Sequence, residues 1–133
     1  MNINYLAVLV SAVVIFLLGG LWYSPVLFAK KWVALQGRTM DEMSGKALPS
    51  MYVQVFICGF LTSLVMAPII SHMPHIGLVH GLGFGAAIWL GFAGATSYGT
   101  GLFSLKPKAL WAIDSGFNLV SFMIAAAILS TWR

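Results

Sequence analysis

Asp114 is the one carboxylate inside a long apolar run of this chain. A charge there is costly to place in hydrocarbon and tends to face the interior of a helix bundle, which makes it a functional-site hypothesis by default. Asn118 and Ser121 follow at i+4 and i+7, so on a helix the three would share one polar face. Two roles fit a lone carboxylate of this kind. One is a pocket for a cation, proton or polar ligand. The other is a structural clamp that holds helices in register, with the acid either ionised and multiply hydrogen-bonded or protonated by desolvation. No Lys or Arg lies within an apolar run, so the expected partners are hydroxyl, indole and amide donors.

Other reactive side chains offer less. His72 and His75 flank Pro74 in a short polar stretch and His80 follows a few residues later, with no Cys, Asp or Glu nearby to complete a tetrahedral site, so no metal is expected. Cys58 is the only cysteine and sits in an apolar run, which excludes an intramolecular disulfide and suits a packing role. No Ser-His-Asp order, phosphate loop or dinucleotide fingerprint stands in a credible setting. An isolated carboxylate lacks a partner base, nucleophile or metal, so neither an enzyme activity nor a cofactor is expected.

The elements that must position Asp114 follow from composition. Of 133 residues, 60% are apolar and only 8% charged, with a mean hydropathy of +0.95. A soluble domain carries about a quarter charged residues, and so few could not coat a water-facing surface. The apolar residues form four runs of about 20 residues, near 5–23, 51–70, 77–98 and 109–131, each long enough to cross the ~30 Å of hydrocarbon as a helix. The net charge of +4 forms no basic stripe, which argues against nucleic acid as a partner. The first run lacks the basic start and small-residue cleavage site of a signal peptide and is expected to be retained.

Short connections after the second and third runs force antiparallel neighbours, so the expected fold is an all-α, integral membrane four-helix bundle, up-down-up-down, in a single domain. The first connection, residues 24–50, and the third hold Lys30, Lys31, Arg38, Lys46, Lys106 and Lys108, against Arg133 alone on the other side. That imbalance assigns both connections to the cytoplasm and both termini to the outside. Asp114 then lies about five residues, roughly 8 Å, below the inner interface. The inner ends of the spans bring Trp22, Tyr23 and Ser24, Tyr52 and Gln54, and Ser97 and Tyr98 to the same depth as Asp114 and Asn118. These make the candidate polar site.

Within the first connection, Phe28, Trp32 and Leu35 recur at helical spacing away from Lys30 and Lys31, which predicts a short interfacial helix serving as a lid or an anchor. Thr39-Met40-Asp41-Glu42 matches a capping box for a further helical turn. In the third run Gly83, Ala87, Gly91, Ala95 and Gly99 fall four apart, and Gly77, Gly81 and Gly85 form a second series roughly opposite. Small-xxx-small ridges let helix backbones approach closely, so the third helix is expected at the centre, packed on two sides, either as a static element or as one that slides. Pro68 is expected to bend or end the second helix.

Several stretches also carry a family likeness: Asn2-Ile3-Asn4-Tyr5-Leu6-Ala7-Val8, Leu21-Trp22-Tyr23-Ser24-Pro25-Val26-Leu27-Phe28, Trp89-Leu90-Gly91-Phe92 and Ala112-Ile113-Asp114-Ser115-Gly116. Along essentially the whole chain the sequence resembles a family of small bacterial membrane proteins known only as domain of unknown function seventeen-sixty-one. Where that family often has an aromatic after its Asp-x-Gly step, Phe117 fits the pattern but lacks a tyrosine's hydroxyl. The resemblance implies membrane placement and brings no activity. The small multidrug transporters are similar in size and span count, but their glutamate belongs in the first span, where this chain has no carboxylate, so their mechanism is not carried over.

Four spans enclose side chains but scarcely a water-filled path, so a transport role needs two or more copies. The expected function is an oligomeric transporter or channel-like protein of the bacterial inner membrane, with membrane lipids and a small ion or polar ligand as partners. The alternative is a non-catalytic scaffold or lipid-binding protein with Asp114 as its clamp.

Overall fold

The computed structural model describes residues 3–38 and 49–132, and over these the chain is helical with no strand. The capping box at Thr39–Glu42, and the charges of Lys46 and Arg133, lie outside the described residues. Among the described residues, five α-helices and one π turn build four spans: α1 (Tyr5–Trp22), α3 (Pro49–Ser71), a third span made of α4 (Gly77–Trp89), a π turn (Leu90–Gly94) and α5 (Ala95–Phe103), and α6 (Lys108–Thr131). A short helix, α2 (Ala29–Leu35), fills the first connection. All four spans are long and apolar enough to cross a membrane. Lipid offers the backbone no hydrogen-bond partners, so even the β-branched stretch from Val13 to Ile15 runs as helix, which satisfies its amides internally.

The spans run up, down, up, down. Asn4 accepts the Ala7 N–H at 3.1 Å to cap α1 and donates to the Trp132 carbonyl at 3.2 Å, joining the start of α1 to the end of α6. At the opposite end Trp22 reaches Ile113 near the start of α6. The core comes from Ala7, Val8 and Ile15 of α1, Met66, Ala67 and Ile70 of α3, and Ala125, Ala126 and Leu129 of α6. Many of these are small, which lets dispersion act at short backbone separation where lipid supplies no hydrophobic drive.

Two expectations about packing are corrected. The fourth span is the central helix, not the third: α6 packs on α1, α3 and α4, and most extensively on α4. The reason lies in which glycines meet a neighbour. A Cβ at Gly85 would stand 2.5 Å from the Phe122 carbonyl oxygen, and one at Gly81 would collide with Ser130. By contrast, a Cβ at Gly83, Gly91 or Gly99 would meet nothing within 4 Å among the described residues, and Ala87 and Ala95 are exposed. So Gly81 and Gly85 of the second series dock the third span on α6, while the longer ridge faces outward. The ridge also crosses a π turn, where the Trp89 ring lies over Gly94 so closely that a Cβ there would be 2.9 Å from it.

Pro68 does not end its helix, which continues to Ser71. It sits in the last turn, where its carbonyl accepts from the Ser71 hydroxyl at 2.8 Å and the His72 N–H at 3.3 Å. The third span also runs past Tyr98 to Phe103, because Thr96 and Thr100 turn their hydroxyls back onto carbonyls of their own helix and so carry little unsatisfied polarity along it.

Candidate functional site

The site is assembled where α1 ends, α2 folds back and α6 begins. Phe28 donates its N–H to the Trp22 carbonyl at 3.2 Å and Ala29 to the Ser24 carbonyl at 3.2 Å, closing a compact turn that returns α2 beneath α1. Ser24 spends its hydroxyl on the Leu21 carbonyl at 2.7 Å and so finishes α1, with no bond to Asp114. The turn brings Trp32 edge-on to Tyr23, ring centres 5.4 Å apart, and Tyr23 also packs edge-on to Phe117 at 5.7 Å.

Asp114 receives three donors from three segments. Tyr23 Oη donates to Oδ1 at 2.7 Å and Trp32 Nε1 to the same oxygen at 2.9 Å. Lys106 Nζ stands 3.3 Å from Oδ2, the ion pair found among the described residues. Both side chains are about one third open, 34% for Lys106 and 32% for Asp114, so the pair is reachable from outside the fold.

Trp22 belongs to the site but not to the carboxylate. Its Nε1 donates to the Ile113 carbonyl at 2.9 Å, and its ring covers Gly116, where a Cβ would be 3.2 Å away. Tyr98 lies on another side of α6, edge-on to Trp111 at 5.1 Å. There Trp111 donates to the Ser97 hydroxyl at 2.9 Å, and Ser97 and Ser115 are 3.2 Å apart. Asp114 and Ser115 are neighbours in sequence, but 100° of helical rotation sends one toward α1 and α2 and the other toward the third span. The polar layer expected at one depth is therefore two fastenings on two sides of α6.

Gln54 and Asn118 join neither. Gln54 is exposed, as is Tyr52 beside it. It precedes Gly59, on the buried face of α3, by five residues, which is roughly 140° around the helix. Asn118 is exposed while Ser121 is buried, because three residues put them roughly 60° apart and the edge of the buried face falls between them.

Two partners of Asp114 were outside the sequence-derived set. Lys106 lies in a connection, and nothing in its spacing shows that the turn bends back over α6. Trp32 was legible only as part of an apolar face; its single indole N–H and its place one short helix after Tyr23 were the available signal. His72 turns Nδ1 to the Pro68 carbonyl at 2.8 Å, and among the described residues no three His, Cys, Asp or Glu side chains gather as metal ligands.

A family model described as "Protein of unknown function (DUF1761)" matches residues 6–130. No curated protein and no solved structure matches the chain.

Proposed function

The chain belongs to the DUF1761 family of proteins of unknown function, and from that premise we propose that it is an oligomeric transporter or channel-like membrane protein whose polar site is the Asp114 carboxylate. The observation that carries this reading is the accessibility of the acid: a carboxylate in the first turns of a membrane helix, one third open, with an ion pair on one oxygen to a lysine that is itself one third open. No catalytic role is assigned to it, nor any cofactor.

The excess of Lys and Arg in the first and third connections supports placing this end of the bundle at the cytoplasmic face of a bacterial inner membrane, with both termini outside. Membrane lipids surround the spans, and a groove of about 350 Å³ between the second and third spans and floored by α6, lined by Leu61, Val65, Met66, Phe84, Ile88 and Phe122, suits an acyl chain. A path through the membrane needs more than one bundle, and the uncovered ridge of Gly83, Ala87, Gly91 and Ala95 offers a second copy a surface of close backbone approach. In liposomes, wild-type protein is expected to carry ion or solute flux. Asp114→Asn should abolish that flux while the protein stays folded and assembled.

One observation favours a second reading, a scaffold in which Asp114 is a clamp: both its oxygens are taken, by donors from α1, α2 and the 104–107 turn. Under it, wild-type liposomes show no flux, and Asp114→Asn lowers the melting temperature in detergent.

A further inference from the structure

Lys106 is presented to Asp114 by an unusual turn. α5 closes with the Leu105 N–H on the Leu102 carbonyl at 3.3 Å and the Lys106 N–H on the Gly101 carbonyl at 3.0 Å, the pattern in which the residue just past the helix turns left-handed. Glycine normally fills that position. Here it is Leu105, at φ 57° with its side chain exposed, and the next residue delivers its ammonium to Oδ2. A strained Leu105 that turns the following lysine's charge onto a carboxylate points to a function for the contact.

The two oxygens of Asp114 are not equivalent. Oδ1 is held by the Tyr23 hydroxyl and the Trp32 indole, both neutral, while among the described residues Oδ2 is met by the Lys106 ammonium at the edge of the fold. A hard metal ion suits this place poorly, since it gathers six or more oxygens and Asp114 is the one carboxylate among the described residues. An alkylammonium needs one carboxylate oxygen, and the rings of Tyr23 and Trp32, which reach the neighbouring oxygen of the same carboxylate, suit its apolar body.

We propose that Asp114 Oδ2 is a binding site for the ammonium group of a small amine, and that Lys106 is its built-in competitor, released when the amine binds. The proposal rests on the reading of Asp114 as a binding group and names the class of ligand it takes. Lys106 has a flexible four-carbon stem and an open position on a turn, so displacing it requires no change in the packing of the spans.

The test uses the full chain in detergent micelles, titrated calorimetrically with butylammonium chloride, 1-butanol or potassium chloride. Lys106→Gln is expected to bind butylammonium at least tenfold more tightly than wild type, and Lys106→Arg, which keeps a competing cation, about as wild type does. Neither 1-butanol nor potassium should bind Lys106→Gln comparably. Equal butylammonium affinity in wild type and Lys106→Gln overturns the proposal, as does 1-butanol or potassium binding as well as the amine. Tight amine binding without flux in liposomes would refute the transport reading alone; flux of another ion without amine binding would refute this inference alone.

Discussion

At the scale of single residues, the energetics of the site centre on Asp114 Oδ1, which accepts from two neutral donors in a partly buried place. A hydrogen bond to a charged group contributes about 1.5–3 kcal/mol when buried. With Asp114 one third open the lower part of that range applies. Trp32→Phe keeps an aromatic ring edge-on to Tyr23 but removes one donor, and is expected to destabilise the protein by roughly 1–2 kcal/mol, read as a lower melting temperature in detergent. A melting temperature equal to wild type would show that water takes over the indole's bond. Trp22 has a different duty. Its N–H is given to a backbone carbonyl of α6, and its ring packs on Gly116, so it positions α1 against α6 without touching the acid.

At the scale of elements, the contrast between the two glycine series of the third span is the clearest physical result. Gly85 lies against the backbone of α6 at Phe122 and Met123, neither of which can move as a side-chain tip would. Gly85→Ala should therefore separate the helices at a cost of about 1–3 kcal/mol. Gly83→Ala, facing open space, is expected to be neutral or slightly stabilising, since alanine is the better helix former. Thermal unfolding of the two variants side by side checks this; equal destabilisation would mean that the third span docks on α6 by a different face. Leu105 shows the opposite use of a helix end. A left-handed leucine costs roughly 1–2 kcal/mol that a glycine there would not, whereas Gly37 ends α2 in the same conformation without that penalty.

At the scale of the whole molecule, four spans bury their small residues against one another and leave a second small-residue surface on the outside. The third span is the least buried of the four in its own chain and the fourth the most. A bulky substitution on the outer ridge tests the proposed association of copies. Gly91→Leu is expected to leave the single bundle intact while shifting the protein toward monomer in crosslinking or mass-resolved detergent chromatography. An unchanged oligomer distribution would move the proposed interface off this ridge.

The sequence by itself determined the solvent, the number of spans and the singular position of Asp114. Hydropathy and length are local properties that add along a chain, and lipid leaves the backbone no alternative to helix. It also marked Tyr23 and Trp22 as residues of the same end of the bundle. Tertiary structure alone decided which donors reach the acid, because that depends on how far each helix turns about its own axis and on where each connection bends back. Rotation of α6 by a single residue separates Asp114 from Ser115, sets Asn118 outside, and divides one expected polar layer into two. Trp32 and Lys106 arrive from connections whose paths hydropathy does not encode. The central place of α6 was hidden for a related reason: two glycine ridges look alike along the chain, and only contact with a neighbouring backbone tells the one that docks from the one that stays uncovered.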